Sequence, residues 1–180
     1  MPGSLVVHRI SFDIGQAACK KSPRMSIDSI DRRILDALQR AGRMSNADLS
    51  ERVHLSPSAC HRRVQRLEAE GYIAKYVALL DARKLGVPTT VFVEITLQGQ
   101  ADDLLDAFEK AVARIPDVLE CHLMAGTADY LLKIVAEDTE DFARIHRQHL
   151  SRLPGVAQMQ SSFALRTVLR TTALPLQGGL

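Results

Sequence analysis

The sequence predicts an α+β fold class, with an N-terminal winged helix-turn-helix domain joined to a C-terminal ferredoxin-like βαββαβ domain. Three observations lead to this prediction. Apolar residues recur with a helical period before residue 72, strands and helices alternate after residue 88, and "DARKLGVP" separates the two patterns. The predicted boundaries are a flexible N-terminal extension over 1–24, a winged helix-turn-helix domain over 25–80, a linker over 81–88, a ferredoxin-like domain over 89–172 and a C-terminal tail over 173–180.

Three short helices and a wing are predicted in the first domain. The apolar positions of "SIDSIDRRILDALQ" fall on one face of the first helix. Ser45 is a suitable N-cap for the second helix and Ser56 for the third, whose first position is occupied by Pro57. Gly71 ends the third helix, and "YIAKYVALLD" after it is predicted as a strand or small wing. This order of elements is the winged helix-turn-helix pattern.

The second domain is predicted as strand, helix, strand, strand, helix and strand. These elements are expected at about 89–97, 102–114, 118–124, 130–137, 139–152 and 156–170. A weak internal echo supports the order, since "ARIPDVLE" and "SRLPGVAQ" each end a helix with proline and enter a strand. Two such split βαβ units make a ferredoxin-like sandwich, with two helices on one face of an antiparallel sheet.

Composition excludes several classes of protein. The net charge is only +2, which argues against a basic coat over the whole surface, and the absence of Trp disfavours stacking platforms for single-stranded nucleic acid. Three widely spaced cysteines (Cys19, Cys60 and Cys121) do not make a disulfide framework and suit a reducing compartment. With no apolar run long enough for a membrane span, we expect a cytoplasmic protein without membrane contact.

The third helix, within "LSPSACHRRVQRLEAEG", sorts its side chains in a way that predicts DNA binding. Its core face carries Cys60, Val64 and Leu67, and the opposite face carries Ser58, Arg62 and Gln65, flanked by His61 and Arg66. An arginine can fork onto guanine and a glutamine onto adenine in the major groove. Small residues in the first turn let the helix N-terminus, which favours phosphate, approach the duplex. A solvated cationic face is the alternative interpretation.

The predicted DNA contacts include side chains outside that face. The full set is Ser45, Ser56, Ser58, His61, Arg62, Arg63, Gln65 and Arg66. Arg43 and Lys75 are further candidates for phosphate contact, and any one of these residues is equally consistent with an ordinary surface position.

Several segments together resemble the leucine-responsive regulator (Lrp)/AsnC family of bacterial transcription factors. They are "SIDSIDRRILDALQRAGRMSNADLSERVHLSPSACHRRVQRLEAEGYI", "VFVEITL", "ECHLMAGTADYLLKI" and "RLPGV", in that order, and the likeness runs from about Ile27 to Arg170. The resemblance implies a ferredoxin-like domain of the RAM/AsnC type that binds an amino acid or related metabolite, and homo-oligomers, dimers and commonly octamers. A two-fold dimer would read a pseudo-palindromic operator in double-stranded DNA.

Two features depart from the family pattern. Residues 1–24 have no counterpart, so they are expected to be an extension that is not necessarily part of the native product. His146 and His149 are predicted on the inner side of the last helix with Phe142 and Leu153, where the family usually has aliphatic residues.

The loop in "MAGTADYLL" has two interpretations. It is a hairpin turn with a permissive glycine, or its backbone N–H groups hold a ligand carboxylate while Asp129 answers an ammonium group. The resemblance places an effector cleft around this loop, between subunits. The predicted effector-binding residues are Gly126, Thr127, Ala128, Asp129, Tyr130, Gln160 and Ser162. Tyr130 either closes the cleft or packs in the core, and Gln160 and Ser162 either line the cleft or form a polar strand face.

Other chemistry is not predicted. The Cys60-His61 and Cys121-His122 pairs lie in different domains and lack the spacing of a zinc site, so no metal, cofactor or catalytic residue is expected. His146 and His149 are three residues apart, and core or interface histidines are commoner than a metal clamp. One alternative is a haem-pathway decarboxylase, which resembles this two-domain architecture. Another is an effector-blind protein that coats or bends DNA.

Overall fold

The computed structural model describes residues 27–176, which form two compact units. One unit contains residues 27–76 together with residues 173–176, and the other contains Val77–Thr172. The division follows Tyr76, and residues 173–176 of the predicted tail belong to the helical unit, while the predicted domain bounds stay predictions. The predicted extension over 1–24 lies outside the described residues.

The helical unit consists of three helices around a small apolar core. They are α1 (Ser29–Arg40), α2 (Asn46–Val53) and α3 (Pro57–Ala69). The apolar faces predicted for α1 and α3 are confirmed, because their buried side chains converge on one cluster with Leu49 and Val53 of α2. The cluster contains Ile34, Ala37, Leu38, Leu49, Val53, Cys60 and Leu67.

Each helix begins at a side-chain cap. Ser45 Oγ accepts a hydrogen bond from the Asp48 N–H at 3.1 Å, and Ser56 Oγ accepts one from the Ala59 N–H at 3.3 Å. Both caps were predicted, because a hydroxyl before a helix satisfies one of the free N–H groups of the first turn. The turn from α2 to α3 places His54 in the left-handed conformation, with φ 58° and ψ 51°, which few residues other than glycine adopt.

Of the predicted strand or small wing after α3, the strand is absent from the described chain. Residues 72–81 form no strand, because no segment among residues 27–176 pairs with them, and a strand without a neighbour leaves its backbone groups without a ladder. Their apolar side chains are instead exposed: Val77, Leu79 and Leu80 retain 63, 69 and 68 % of their accessible surface.

The second unit confirms the predicted βαββαβ order. Its elements are β1 (Thr89–Leu97), α4 (Asp102–Val112), β2 (Val118–Leu123), β3 (Tyr130–Ala136), α5 (Thr139–Gln148), a 3-10 turn (Leu150–Arg152) and β4 (Val156–Phe163). The strands form one antiparallel sheet in the order β2-β3-β1-β4. With β1 and β3 in the middle, this is the sheet of a ferredoxin-like sandwich.

One face of the sheet builds the core of this unit. Val91, Val93, Ile95 and Leu97 alternate with more exposed residues along β1, as their period of two predicted. The last strand is shorter than predicted. Its ladder ends with the bond from the Ala164 N–H to the Thr90 carbonyl at 2.9 Å, since β1 begins only one residue earlier.

The predicted inward position of two histidines is wrong. Helix α5 ends at Gln148 and continues as a 3-10 turn, and this tightening turns Leu150 rather than His149 toward the core. His146 and His149 are half-buried at the margin. The buried residues of this segment are Phe142, Ile145, Leu150 and Leu153.

Candidate functional site

The face of α3 opposite the core is open to solvent, as predicted. Ser58, His61, Arg62 and Gln65 are all exposed. Within residues 27–176, the side chains of His61, Arg62 and Gln65 have no hydrogen-bond or ion-pair partner. A helix that shows an arginine, a glutamine and a histidine without internal partners has its donors available for another molecule.

Two of the predicted DNA contacts are directed elsewhere. Arg63 donates to Asp28 Oδ2 at 2.7 Å and to Asp31 Oδ1 at 2.8 Å. Arg66 donates to Asp31 Oδ2. These hydrogen bonds, the one to Asp28 foremost, raise the pKa of the Arg63 guanidinium. Arg63 and Arg66 therefore fasten α3 to the start of α1, and their predicted contact with DNA stays a prediction.

Asp31 is the centre of this arrangement, and no pattern in the sequence predicted its role. The side chain is 1 % exposed and also accepts the Asp28 N–H at 3.1 Å, completing a capping box in which the Asp31 N–H donates to Asp28. That backbone N–H is the largest influence holding the pKa of Asp28 below its ordinary value. The capping-box spacing was visible in "DSID", but the arginine partners lie 32 and 35 residues away.

The starts of α2 and α3 lie side by side. Asn46 Nδ2 donates to the Pro57 carbonyl at 2.9 Å, so the first residue of α2 is tied to the first residue of α3. Ser45 and Ser56 are exposed beside this bond. Helix N-termini favour phosphate, and here the start of α3 has no acidic side chain in its first turn, whereas in α2 the Ser45 hydroxyl donates to the exposed carboxylate of Asp48 at 2.7 Å.

The loop between β2 and β3 leaves three consecutive backbone donors free. Within the described part of the chain, the N–H groups of Gly126, Thr127 and Ala128 donate to no protein acceptor. A side chain added at Gly126 would meet nothing within 4 Å. Consecutive free N–H groups in an open turn can hold an anion such as a carboxylate.

Asp129 joins this loop to the end of β1. Its Oδ2 accepts the Leu97 N–H at 2.7 Å and its Oδ1 accepts from Gln100 Nε2 at 2.8 Å. The local turn bond that the hairpin interpretation predicted is thus replaced by contacts with residues about thirty positions earlier. Gln100 was missed because no short-range pattern links it to Asp129.

Tyr130 is a core residue and does not reach over the loop. It is 1 % exposed, its ring centroid lies 4.5 Å from that of Phe108, and its hydroxyl donates to Glu109 Oε1 at 2.8 Å. Burial, followed by this hydrogen bond, raises its pKa. Of the two interpretations of Tyr130, packing is the one observed. It also borders a cleft of about 360 Å³ between α4 and β2, with Val112 and Cys121 among the lining residues.

The polar residues of β4 do not meet the loop within one protomer. Gln160 lies opposite Glu94 and Ser162 opposite Phe92. Strands lie about 4.8 Å apart, so Gln160, which is two strands from β3, is roughly 10 Å from it across the sheet. The loop ends beside Tyr130, opposite Ile95, and at a rise of about 3.3 Å per residue Ser162 lies roughly 10 Å from that level along the strand direction.

Among residues 27–176, no three His, Cys, Asp or Glu side chains come close enough to share a metal ion. Cys60 is buried in the helical core, and that burial raises the pKa of its thiol. In the same range, no helix combines the length and the apolar character needed to cross a bilayer.

Comparison with protein families matches both units. Residues 27–74 match a winged helix-turn-helix DNA-binding domain, and residues 90–174 match the Lrp/AsnC ligand binding domain. The first match covers the helical unit with α3, and the second covers the sheet unit with the loop 124–129.

Individual relatives agree with these matches. The leucine-responsive regulatory proteins of Escherichia coli K12 and Klebsiella pneumoniae are 43 % identical over 155 residues, which cover 86 % of this chain and 94 % of theirs. A transcriptional regulator of Neisseria meningitidis, crystallised in complex with L-Met, superposes with a TM-score of 0.81 at 38 % identity, over 84 % of this chain and 98 % of that one. An AsnC family regulator from Agrobacterium tumefaciens gives 0.80 at 35 % identity, over 83 and 97 %.

Proposed function

Because the chain belongs to the Lrp/AsnC family of transcriptional regulators, we propose that the exposed face of α3 reads operator DNA and that the loop 124–129 receives an amino-acid effector. The observation that carries the first part is the row of exposed side chains Ser58, His61, Arg62 and Gln65, of which the last three have no partner within residues 27–176. Asp31 fixes the position of α3, which carries these side chains, because it binds Arg63 and Arg66 of the same helix.

The contacts divide by the kind of information they carry. Arg62 and Gln65 have the donors for base edges, whereas Ser45 and Ser56 lie at helix starts that favour phosphate. Phosphate contacts position a protein on any sequence, and base contacts select one sequence. Arg62 is therefore the residue whose loss best separates the two.

Arg62→Ala is expected to weaken binding to the specific operator by about 1–3 kcal/mol, because a forked arginine–guanine contact is lost. Binding to random duplex is expected to change much less. The measurement is fluorescence anisotropy on both duplexes at one fixed salt concentration, since affinity depends steeply on salt.

Arg114→Ala is the matched control, because Arg114 is an exposed arginine of the sheet unit, outside the proposed interface. It should bind both duplexes like the unsubstituted protein. An equal loss on operator and random DNA for Arg62→Ala would identify a phosphate contact instead and contradict the base-reading role.

The effector proposal rests on chemistry at the loop. Free N–H groups from Gly126 to Ala128 suit an α-carboxylate. The carboxylate of Asp129 accepts two internal bonds, yet its oxygens offer about four lone-pair sites and so retain capacity for an ammonium group. The Neisseria relative with L-Met supports an amino acid as the class of ligand. Gln160 and Ser162 join such a site only if a second subunit supplies them.

Asp129→Ala is expected to reduce effector affinity at least about tenfold, since a charge-assisted hydrogen bond contributes about 1.5–3 kcal/mol. Isothermal titration calorimetry against the twenty amino acids measures this. Gln100→Ala is the matched control, because it removes one internal partner of Asp129 while keeping the carboxylate. Absence of any amino acid binding below millimolar, or unchanged binding by Asp129→Ala, would place the effector elsewhere.

We also propose a homo-oligomer built on dimers, up to the octamers that the family resemblance implies. The exposed apolar side chains Val77, Leu79, Leu80 and Leu85 support this, because such a stretch is costly to leave in water. A two-fold dimer would read a pseudo-palindrome with half-sites about one helical turn apart. An effector at a subunit junction changes operator affinity by favouring one assembly. Sedimentation velocity with and without effector tests this directly.

Two alternative functions can be distinguished from this proposal. The relatives are transcriptional regulators and both matched domains bind rather than catalyse, which decides against the decarboxylase alternative. An effector-blind architectural protein would show little sequence preference, so a discrete footprint that responds to an amino acid counts against it. Binding to chromosomal DNA would place the protein in the cytoplasm of a bacterium.

A further inference from the structure

The segment from Ala173 to Leu176 is held on the outer surface of α1 by a specific pair of hydrogen bonds. Gln39 Nε2 donates to the Leu174 carbonyl at 3.0 Å, and Gln39 Oε1 accepts the Leu174 N–H at 2.9 Å. A side-chain amide that binds both backbone groups of one residue imitates one rung of a β-ladder. The two partners are 135 positions apart in the sequence.

The orientation of the Gln39 amide is fixed by its neighbour. Gln39 Nε2 also donates to Asp36 Oδ1 at 3.1 Å, and Arg40 Nε donates to the same carboxylate at 3.1 Å. A carboxylate only accepts, so the amide nitrogen must face Asp36 and its oxygen must face the Leu174 N–H. The Gln39 bond is the largest influence that lowers the pKa of Asp36. The acceptor is therefore already ionised near neutral pH.

The segment contacts α1 and α2 through its backbone and through the side chain of Leu176. The Leu174 side chain is 69 % exposed, whereas Ala173 and Leu176 are half-buried. Pro175 between them fixes one backbone dihedral and so reduces the entropy lost on docking. Leu176 enters a cleft whose other lining residues are Arg32, Arg33, Asp36, Arg52 and Val53.

We propose that Ala173–Leu176 is a docking strap whose partner surface is the α1–α2 side of the helical unit of the same chain. The chain leaves the helical unit after Tyr76 and re-enters it at Ala173, so the docked strap gives the DNA-binding unit a second, non-covalent attachment to the chain of the ligand-binding unit. Two links restrict the orientations of a tethered unit more than one link does. This restriction raises the effective concentration of a second DNA-binding unit at the operator once the first has bound. This last step rests on the proposed function.

The docking is tested by hydrogen exchange with mass spectrometry on the full-length chain. Gln39→Ala should accelerate exchange in peptides that cover 173–176 about tenfold, because two backbone-directed bonds are lost. Leu176→Ser should do the same from the other side of the contact. Leu174→Ser is the matched control, since its side chain is exposed and its backbone groups remain. Unchanged exchange in both Gln39→Ala and Leu176→Ser, or an equal acceleration in Leu174→Ser, would overturn the docking.

A second readout separates the strap from general damage to α1 and from the proposed function. Exchange in peptides of α1 should stay at the level of the unsubstituted protein in Leu176→Ser, which lies outside the helix. In the same variant, operator affinity should fall about threefold or more through lost restraint. If Leu176→Ser releases the strap but binds the operator with unchanged affinity, the strap does not act as a link between the units. If the unsubstituted protein binds no operator, the proposed function fails, and the exchange result still decides whether the strap docks.

Discussion

Asp31→Ala is expected to lower the free energy of unfolding of the helical unit by about 2–4 kcal/mol. Removing one partner of a buried ion pair typically costs about 3–5 kcal/mol, because the remaining charge is left without compensation. The remaining charges here belong to Arg63 and Arg66, whose side chains are 26 and 31 % exposed and regain part of their hydration. The expected cost is therefore below the full range.

The same substitution should also impair DNA binding. Asp31 binds two arginines of α3 and closes the capping box of α1, so its loss weakens the attachment of α3 to α1 and leaves the Arg63–Asp28 bond. If α3 presents the reading face, operator affinity should fall even though Asp31 itself is buried and touches no DNA. Urea unfolding monitored by circular dichroism, at one fixed protein concentration, gives the stability.

Asp106→Ala is the control for the Asp31 experiment. Asp106 pairs with Lys110 on α4 at 3.3 Å, but both side chains are about 70 % exposed. Exposed i,i+4 pairs contribute about 0.3–0.5 kcal/mol, so little change is expected. Equal effects of Asp31→Ala and Asp106→Ala on the free energy of unfolding would show that the buried ion pairs of Asp31 stabilise the protein no more than an exposed pair does.

Gly155→Ala is expected to destabilise the sheet unit by about 2–4 kcal/mol. Gly155 has φ +69°, a conformation that side chains disfavour, and an added Cβ would lie 2.3 Å from Leu104 Cδ1. Conformational strain costs about 1 kcal/mol, and forced movement of a packed side chain adds about 1–3 kcal/mol. Thermal unfolding measured by calorimetry detects a change of this size.

Two further variants divide this effect into its causes. Gly86→Ala introduces the same kind of strain at φ +81°, but the added Cβ would meet nothing within 4 Å. It should therefore cost only the conformational part. Adding Leu104→Ala to Gly155→Ala should recover part of the overlap cost. Identical effects of Gly86→Ala and Gly155→Ala would contradict a clash with Leu104.

The elements that the sequence predicted well are those whose signals are local. The alternation along β1 and the hydroxyl caps Ser45 and Ser56 each depend on a few neighbouring residues, and each appears in the structure as predicted. The wing strand failed because a strand is not a local structure. Residues 72–81 have the apolar composition of a strand but no neighbour within the described chain to pair with.

The candidate sites divide in the same way. The exposed face with Arg62 and Gln65 followed from helical spacing, because residues three to four apart share a face. Spacing could not show that Arg63 and Arg66 are held by Asp31, since all three are charged residues of surface type in the sequence. Nor could it show that Tyr130 faces Phe108 rather than a ligand cleft.

The sequence by itself determined the order of the helices and strands, the caps that begin the helices, and the face of α3 that remains in solvent. Period, capping and turn chemistry act over a few residues and are written in the chain directly. Only the tertiary structure decided which distant groups meet: Asp31 with Arg66, Asp129 with Leu97, and Gln39 with Leu174. Such partners are chosen by how the packed elements lie in space, and no short stretch of sequence contains that information.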